Sequence, residues 1–263
     1  MTEAEWLAYT HPGPMLEFLK GKASNRKLRL FAVGCCRRIW HLLVDEKSQM
    51  AVEVSERFAD GIATSEQMSV AHAEAEAVCT RATEQCDAVV LSSGLLFTEE
   101  NEGEIPYLFP AEWSQLFSTS SAGYVTCKDH LDSAMFSSES TADAISAAAC
   151  ATSVDSSTSR PRNSGEGVWR RIEAAERASQ SDMLRDIFSN PFLPITLDPT
   201  WLNPKLKTLA QAIYDERAYG GMPVLADALE EAGCTNADIL NHCRQPETHV
   251  RGCWVVDLIL GKE

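Results

Sequence analysis

The stretch from Asn25 to Gly61, NRKLRLFAVGCCRRIWHLLVDEKSQMAVEVSERFADG, decides the fold class. Leu28, Phe31, Ala32, Cys35, Ile39, Leu42 and Leu43 recur at steps of three and four residues, which lines one face of a helix with apolar groups. Ala51, Val54, Phe58 and Ala59 repeat the pattern over about residues 48–59, and Gly61 supplies a stop. With a short turn near Asp45, the two segments read as an antiparallel helical pair.

The rest of the chain continues in helical punctuation. Thr64 or Ser65 caps a long alanine-rich helix that has Glu66 and Gln67 in its first turn. Pro110 suits the first position of a short helix to Phe117, and a further alanine-rich helix follows Cys127. VDSSTSRPRNSGEG, residues 154–167, is dense in Ser, Gly, Pro and Asn with almost nothing to bury, and reads as a flexible linker. Beyond it, Val168 to Phe188, the Asn203–Pro204 pair and PVLADALEEAG each mark a helix. HVRGCWVVDLILG is apolar almost all round and, with no partner strands evident, reads as a buried final helix. The expected fold is therefore all-α, with hairpins in two halves: residues 1–153 with an acidic middle, and a C-terminal helical module over 168–263.

Composition bounds the function. The 263-residue chain carries 23 basic and 38 acidic residues, a net charge of -15, which repels phosphates and disfavours nucleic acid and anionic membrane surfaces as partners. Between Ala82 and Ser159 the only basic residue among twelve acidic ones is Lys128, a composition suited to a solvated surface, or to drawing in a basic partner or a cation. The N-terminus lacks a signal-peptide pattern and no apolar run spans a bilayer, so a cytoplasmic protein is expected. Its nine cysteines then read as thiols rather than as a disulfide framework.

Chemistry concentrates in CTNADILNHCRQPETHVRGCWVVDLILGKE, residues 234–263. Structural zinc usually takes a close thiolate pair such as C-x2-C, which is absent here. His249 and Cys253, four apart, can clamp an ion from one side, with Cys234 as third ligand and His242 or Cys243 as fourth. His72, Glu76 and Cys79 share a helix face and form a weaker ligand set. No nucleophile elbow, Walker loop or dinucleotide fingerprint occurs, so no catalytic residue is assigned and no cofactor is expected, zinc being the one alternative that the Cys/His ligands suit. The expectation is a non-enzymatic interaction or scaffold protein whose partner is another protein, met by aromatics around Tyr107 and Trp113. The alternative is a zinc-type metal protein or enzyme built on Cys234, His249 and Cys253.

KLRLFAVGCCRRIWHLL near the start, with MLRDIFSNPFLPITLDPTWL, LADALEEAGC and HVRGCWVVDLILGK toward the end, resembles a family of uncharacterised bacterial proteins. LADALEEAG also resembles short helical repeat-companion modules. Neither resemblance implies an activity.

Overall fold

Helix α3, Asn25–Arg38, starts where the Ser24 hydroxyl accepts from the Lys27 N–H, and it ends with Arg37 and Arg38 beside the free carbonyls of its last turn. Every residue from Leu28 to Cys36 is buried, so this helix is surrounded rather than faced on one side. The surroundings follow in chain order through a computed structural model that describes residues 1–92, 110–127, 130–153, 162–246 and 249–262.

Short α1 (Glu3–Ala8) and α2 (Pro12–Leu19) precede α3, and α4 (Glu46–Ala59) follows it, capped by Asp45. Next come the long α5 (Ser65–Ser92), α6 (Pro110–Tyr124), α7 (His130–Ser153) and α8 (Arg162–Phe188). Thr64 and Gln67 close the expected capping box of α5 in both directions, at 3.2 and 2.9 Å. Helices α4 to α8 each pack against the next in chain order, and α3 meets α4, α6, α7 and α8. A side-chain Cβ at Gly34 would lie 2.5 Å from the Met183 sulfur, which shows how closely α3 and α8 approach. Among the described residues the chain forms twelve α-helices and no strand, as the all-α reading requires.

Two sequence expectations are revised here. The linker predicted over 154–167 is helical from Arg162 onward, and residues 154–161 lie outside the described residues. Helix α8, placed by its sequence at the head of the second half, packs against α2, α3 and α7. Trp6, Met15, Leu16, Phe31, Leu184 and Ile187 share one core, so α8 is built into the N-terminal bundle. The interface between α6, α7 and α3 is unusually polar for a core: Ser121, Ser137 and Thr141 are fully buried and bond one another and the Cys36 thiol. Satisfied small hydroxyls permit close helix approach at little desolvation cost.

The C-terminal unit comprises α9 (Pro204–Glu216), α10 (Met222–Glu231), α11 (Ala237–Arg244) and α12 (Trp254–Leu260). Its core joins Leu206, Tyr214, Leu225, Ile239, Trp254 and Ile259. A buried charge joint fixes this unit to α3 and α4. Arg26 reaches Asp257 at 2.7 Å and Asp60 at 3.2 Å, the Tyr214 hydroxyl donates to Asp60 at 2.6 Å, and Arg251 meets Asp60 at 3.1 Å. Burial opposes the charge on Arg26, but hydrogen bonds from its guanidinium to Asp257 and Tyr214 more than offset this and hold its pKa above the ordinary arginine value.

One carboxyl in the bundle is placed at a cost. Burial, followed by the nearby Glu173 carboxylate, pushes Asp143 on α7 up from 3.8 to about 6. A folded-state pKa raised above the unfolded value leaves full stability below about pH 4 and removes it as pH rises through about 6. Asp143→Asn is accordingly expected to gain on the parent by about 1–3 kcal/mol between about pH 5 and pH 8. Urea denaturation of both proteins at the two pH values checks this, and equal differences at both would contradict it.

Candidate metal centre

Four donor groups converge near the start of α12. Helix α8 contributes Asp186, α11 contributes His242, the segment after α11 contributes His249, and Cys253 stands at the N-cap of α12. The local sequence explains each placement. Asn236 caps α11 by accepting from the Asp238 and Ile239 N–H groups, and Ile239, Leu240 and Cys243 turn into the core. Adjacent helical residues point about 100 degrees apart, so burying Cys243 aims its neighbour His242 elsewhere, toward Asp186.

The four-residue spacing of His249 and Cys253 predicts that they share a helix face, but α12 begins only at Trp254 and neither residue lies within it. A turn brings them together: the Cys253 N–H donates to the Val250 carbonyl at 3.0 Å, with Gly252 at φ +97° in its third position. The Cys253 side chain makes no capping bond to α12, which leaves its sulfur facing the other donors.

The distances define the site's character. Asp186 Oδ1 lies 2.7 Å from His249 Nδ1 and 3.1 Å from His242 Nε2. Cys253 Sγ lies 3.2 Å from His242 Nε2 and 3.8 Å from His249 Nδ1. All four donor atoms fall within 4.8 Å of one another. Tetrahedral zinc with bonds of roughly 2.0–2.3 Å separates its donors by roughly 3.3–3.6 Å. Shifts of about half an ångström, well inside side-chain freedom, bring these atoms to that spacing.

Cysteine with histidine and aspartate also makes a catalytic triad, and the geometry separates the two cases. In a triad the imidazole relays a proton between its two nitrogens, one facing the nucleophile and the other the carboxylate. Here a single nitrogen of each ring faces both the carboxylate and the thiol. That arrangement points the donors at a common centre and offers no relay. Burial and the Asp186 carboxylate also push the Cys253 thiol well above its ordinary pKa, which suppresses the free thiolate that nucleophilic chemistry needs.

Burial works against the Asp186 charge as well, yet hydrogen bonding with His242 and His249 holds its carboxyl below the usual range. Its second oxygen accepts from the Val250 N–H at 2.8 Å, a backbone contact that orients the carboxylate. Trp254 covers His242 with ring centroids 5.0 Å apart. His249 Nε2 is buried without a hydrogen-bond partner.

The predicted ligand set Cys234, His249 and Cys253 is therefore brought together in part. His249 and Cys253 meet, and of the two suggested fourth ligands His242 joins them. Cys234 and Cys243 pack in the C-terminal core and do not belong to the group of four. Burial pushes the Cys243 thiol up to about 12, in keeping with an inert core side chain. Asp186, 56 residues before His242, escaped the sequence reading. Its signal was a carboxylate in register with Met183 and Ile187 on a buried helix face. The helix-face set His72, Glu76 and Cys79 does not form a metal group among the described residues. His72 bonds Thr126 at 2.9 Å and Cys79 bonds Ser120 at 3.3 Å. The vicinal Cys35 and Cys36 are fully buried in two different cores.

No known protein family, curated protein or solved structure matches the chain. No helix among the described residues is long and apolar enough to cross a membrane.

Proposed function

We propose that this protein is a zinc-type metal-binding protein with a closed, non-catalytic centre formed by Asp186, His242, His249 and Cys253. The observation that carries the reading is the convergence of one nitrogen from each imidazole on both the carboxylate and the thiol. Two imidazoles, one thiolate and one carboxylate suit a borderline-soft ion, and their two negative charges balance a divalent cation inside the core. Four protein donors fill a tetrahedral shell, which leaves no position for a reactive water or a substrate. The interaction reading drew on Tyr107 and Trp113; residue 107 and the side chain of Trp113 lie outside what is described, so the metal centre is the better supported alternative.

Elemental analysis of full-length protein purified without chelator tests the proposal. About one zinc per chain is expected, together with cobalt(II) spectra of tetrahedral type carrying a sulfur-to-cobalt charge-transfer band. Cys253→Ser is expected to abolish that band, and His249→Ala to lower metal affinity at least about 10-fold. A folded parent protein that takes up neither ion would overturn the reading.

A further inference from the structure

The four donors are divided unequally between the two parts of the fold. His242, His249 and Cys253 belong to the C-terminal unit and lie within twelve residues of one another, whereas Asp186 belongs to α8 of the N-terminal bundle. The carboxylate is thus the bundle's sole donor in the group. The C-terminal unit also holds to the bundle through the charge joint of Arg26 and Asp60 with Asp257, Tyr214 and Arg251, none of which is among the four donors. The turn bearing the donors stands between the two attachments: Arg251 faces Asp60, just past the end of α4, while the Val250 N–H faces Asp186 on α8. Gly252 sits close over Leu30 and Ile187 between them.

Resting on the metal reading above, we infer that the ion is a clasp which couples metal supply to the docking of His242 and the turn from His249 to Cys253 on helix α8. With the ion bound, each of the three C-terminal donors is tied to Asp186 through one centre. Without it, the hydrogen bonds of Asp186 to the two imidazoles and the Val250 N–H remain on this side, with the packing of Val250 and Gly252 against Ile187 and its neighbours. The Arg26–Asp257 joint does not involve the ion, so metal loss frees one edge of the C-terminal unit and leaves the other attached. The protein thereby reports metal status as a local change at the α8 edge, without unfolding.

Hydrogen exchange by mass spectrometry on the full chain tests this, comparing zinc-loaded protein, chelator-treated protein and zinc-loaded Asp186→Asn. Chelation is expected to speed exchange at least about 10-fold in peptides over 183–188 and 249–253, with α9 and the end of α12 unchanged. Asp186→Asn retains three donors and is expected to hold zinc more weakly, yet to exchange like the chelated parent in these peptides. Equal exchange with and without one bound zinc overturns the clasp while leaving the metal reading intact. Acceleration throughout α9 and α12 also overturns it, since the ion would then support the whole unit. A chain that binds no zinc overturns the metal reading itself, and the clasp with it.

Discussion

Asp60→Ala is expected to destabilise the protein by about 3–5 kcal/mol, the range for removing one partner of a buried ion pair. Asp60 follows the last residue of α4, its side chain is 2% exposed, and it faces Arg26 at 3.2 Å, Arg251 at 3.1 Å and Lys262 at 3.7 Å. It also accepts from the Tyr214 hydroxyl, whose ring is itself stacked by Arg251 with the guanidinium 4.4 Å from the centroid. Truncation removes one anion and strands cations that the fold has already taken from water. Glu56 cannot take its place, because it is engaged with Arg37, Arg217 and Arg251. The exposed pair Arg244–Asp227 offers the contrast, with Asp227 71% exposed. Asp227→Ala is expected to cost less than about 1 kcal/mol. Urea denaturation of the two variants decides the matter, and similar midpoints for both would show that the joint contributes no more than a surface pair.

The helices were legible because the residues that start and stop them act locally. Asp45, the Thr64–Gln67 box, the Asn203–Pro204 pair and Gly61 each act within a few residues of the boundary they mark. Where the reading went astray, the deciding contact was distant. Residues 162–167 carry Ser, Gly and Asn, yet they continue a helix whose later turns are held by Trp6, Phe31 and Leu184 in a common core. The final segment reads as one apolar helix, but Gly252 breaks it into a turn followed by α12, and only that break turns Cys253 back toward His249. The centre was half visible for the same reason. His242, His249 and Cys253 are close in sequence, whereas Asp186 reaches them only after α8 has packed against α3. Cys234 was preferred on chemical softness, and its capture by the core around Tyr214 and Leu225 depends on tertiary packing.

Gly252 carries the second large expected effect. Its φ of +97° lies in the region that L side chains rarely adopt, and a Cβ there would stand 3.0 Å from Leu30 Cδ1 and 3.3 Å from Leu30 Cβ. Leu30 is 1% exposed on the central helix α3, so it has no free space into which to withdraw. Backbone strain of about 1–3 kcal/mol and overpacking of about 1–3 kcal/mol add for Gly252→Val, a total of about 2–6 kcal/mol. The consequence for the centre is separate from that for stability. The turn that Gly252 permits sets the separation of His249 and Cys253, and a shift of about 1 Å in the cysteine sulfur exceeds the tolerance of about 0.2 Å on a zinc–ligand distance. Gly252→Ala, with strain but less bulk, is therefore expected to remain folded near room temperature while binding cobalt(II) at least about 10-fold more weakly than the parent. Gly61→Ala is the control: its φ of +70° imposes comparable strain, but nothing lies within 4 Å of its added Cβ and it belongs neither to the four donors nor to the turn that bears His249 and Cys253. Matched loss of stability in the two alanine variants, with metal affinity lost only at position 252, would assign the glycine to the geometry of the centre. Equal cobalt affinity in both would show that the turn tolerates a side chain and that the His249–Cys253 separation is set elsewhere.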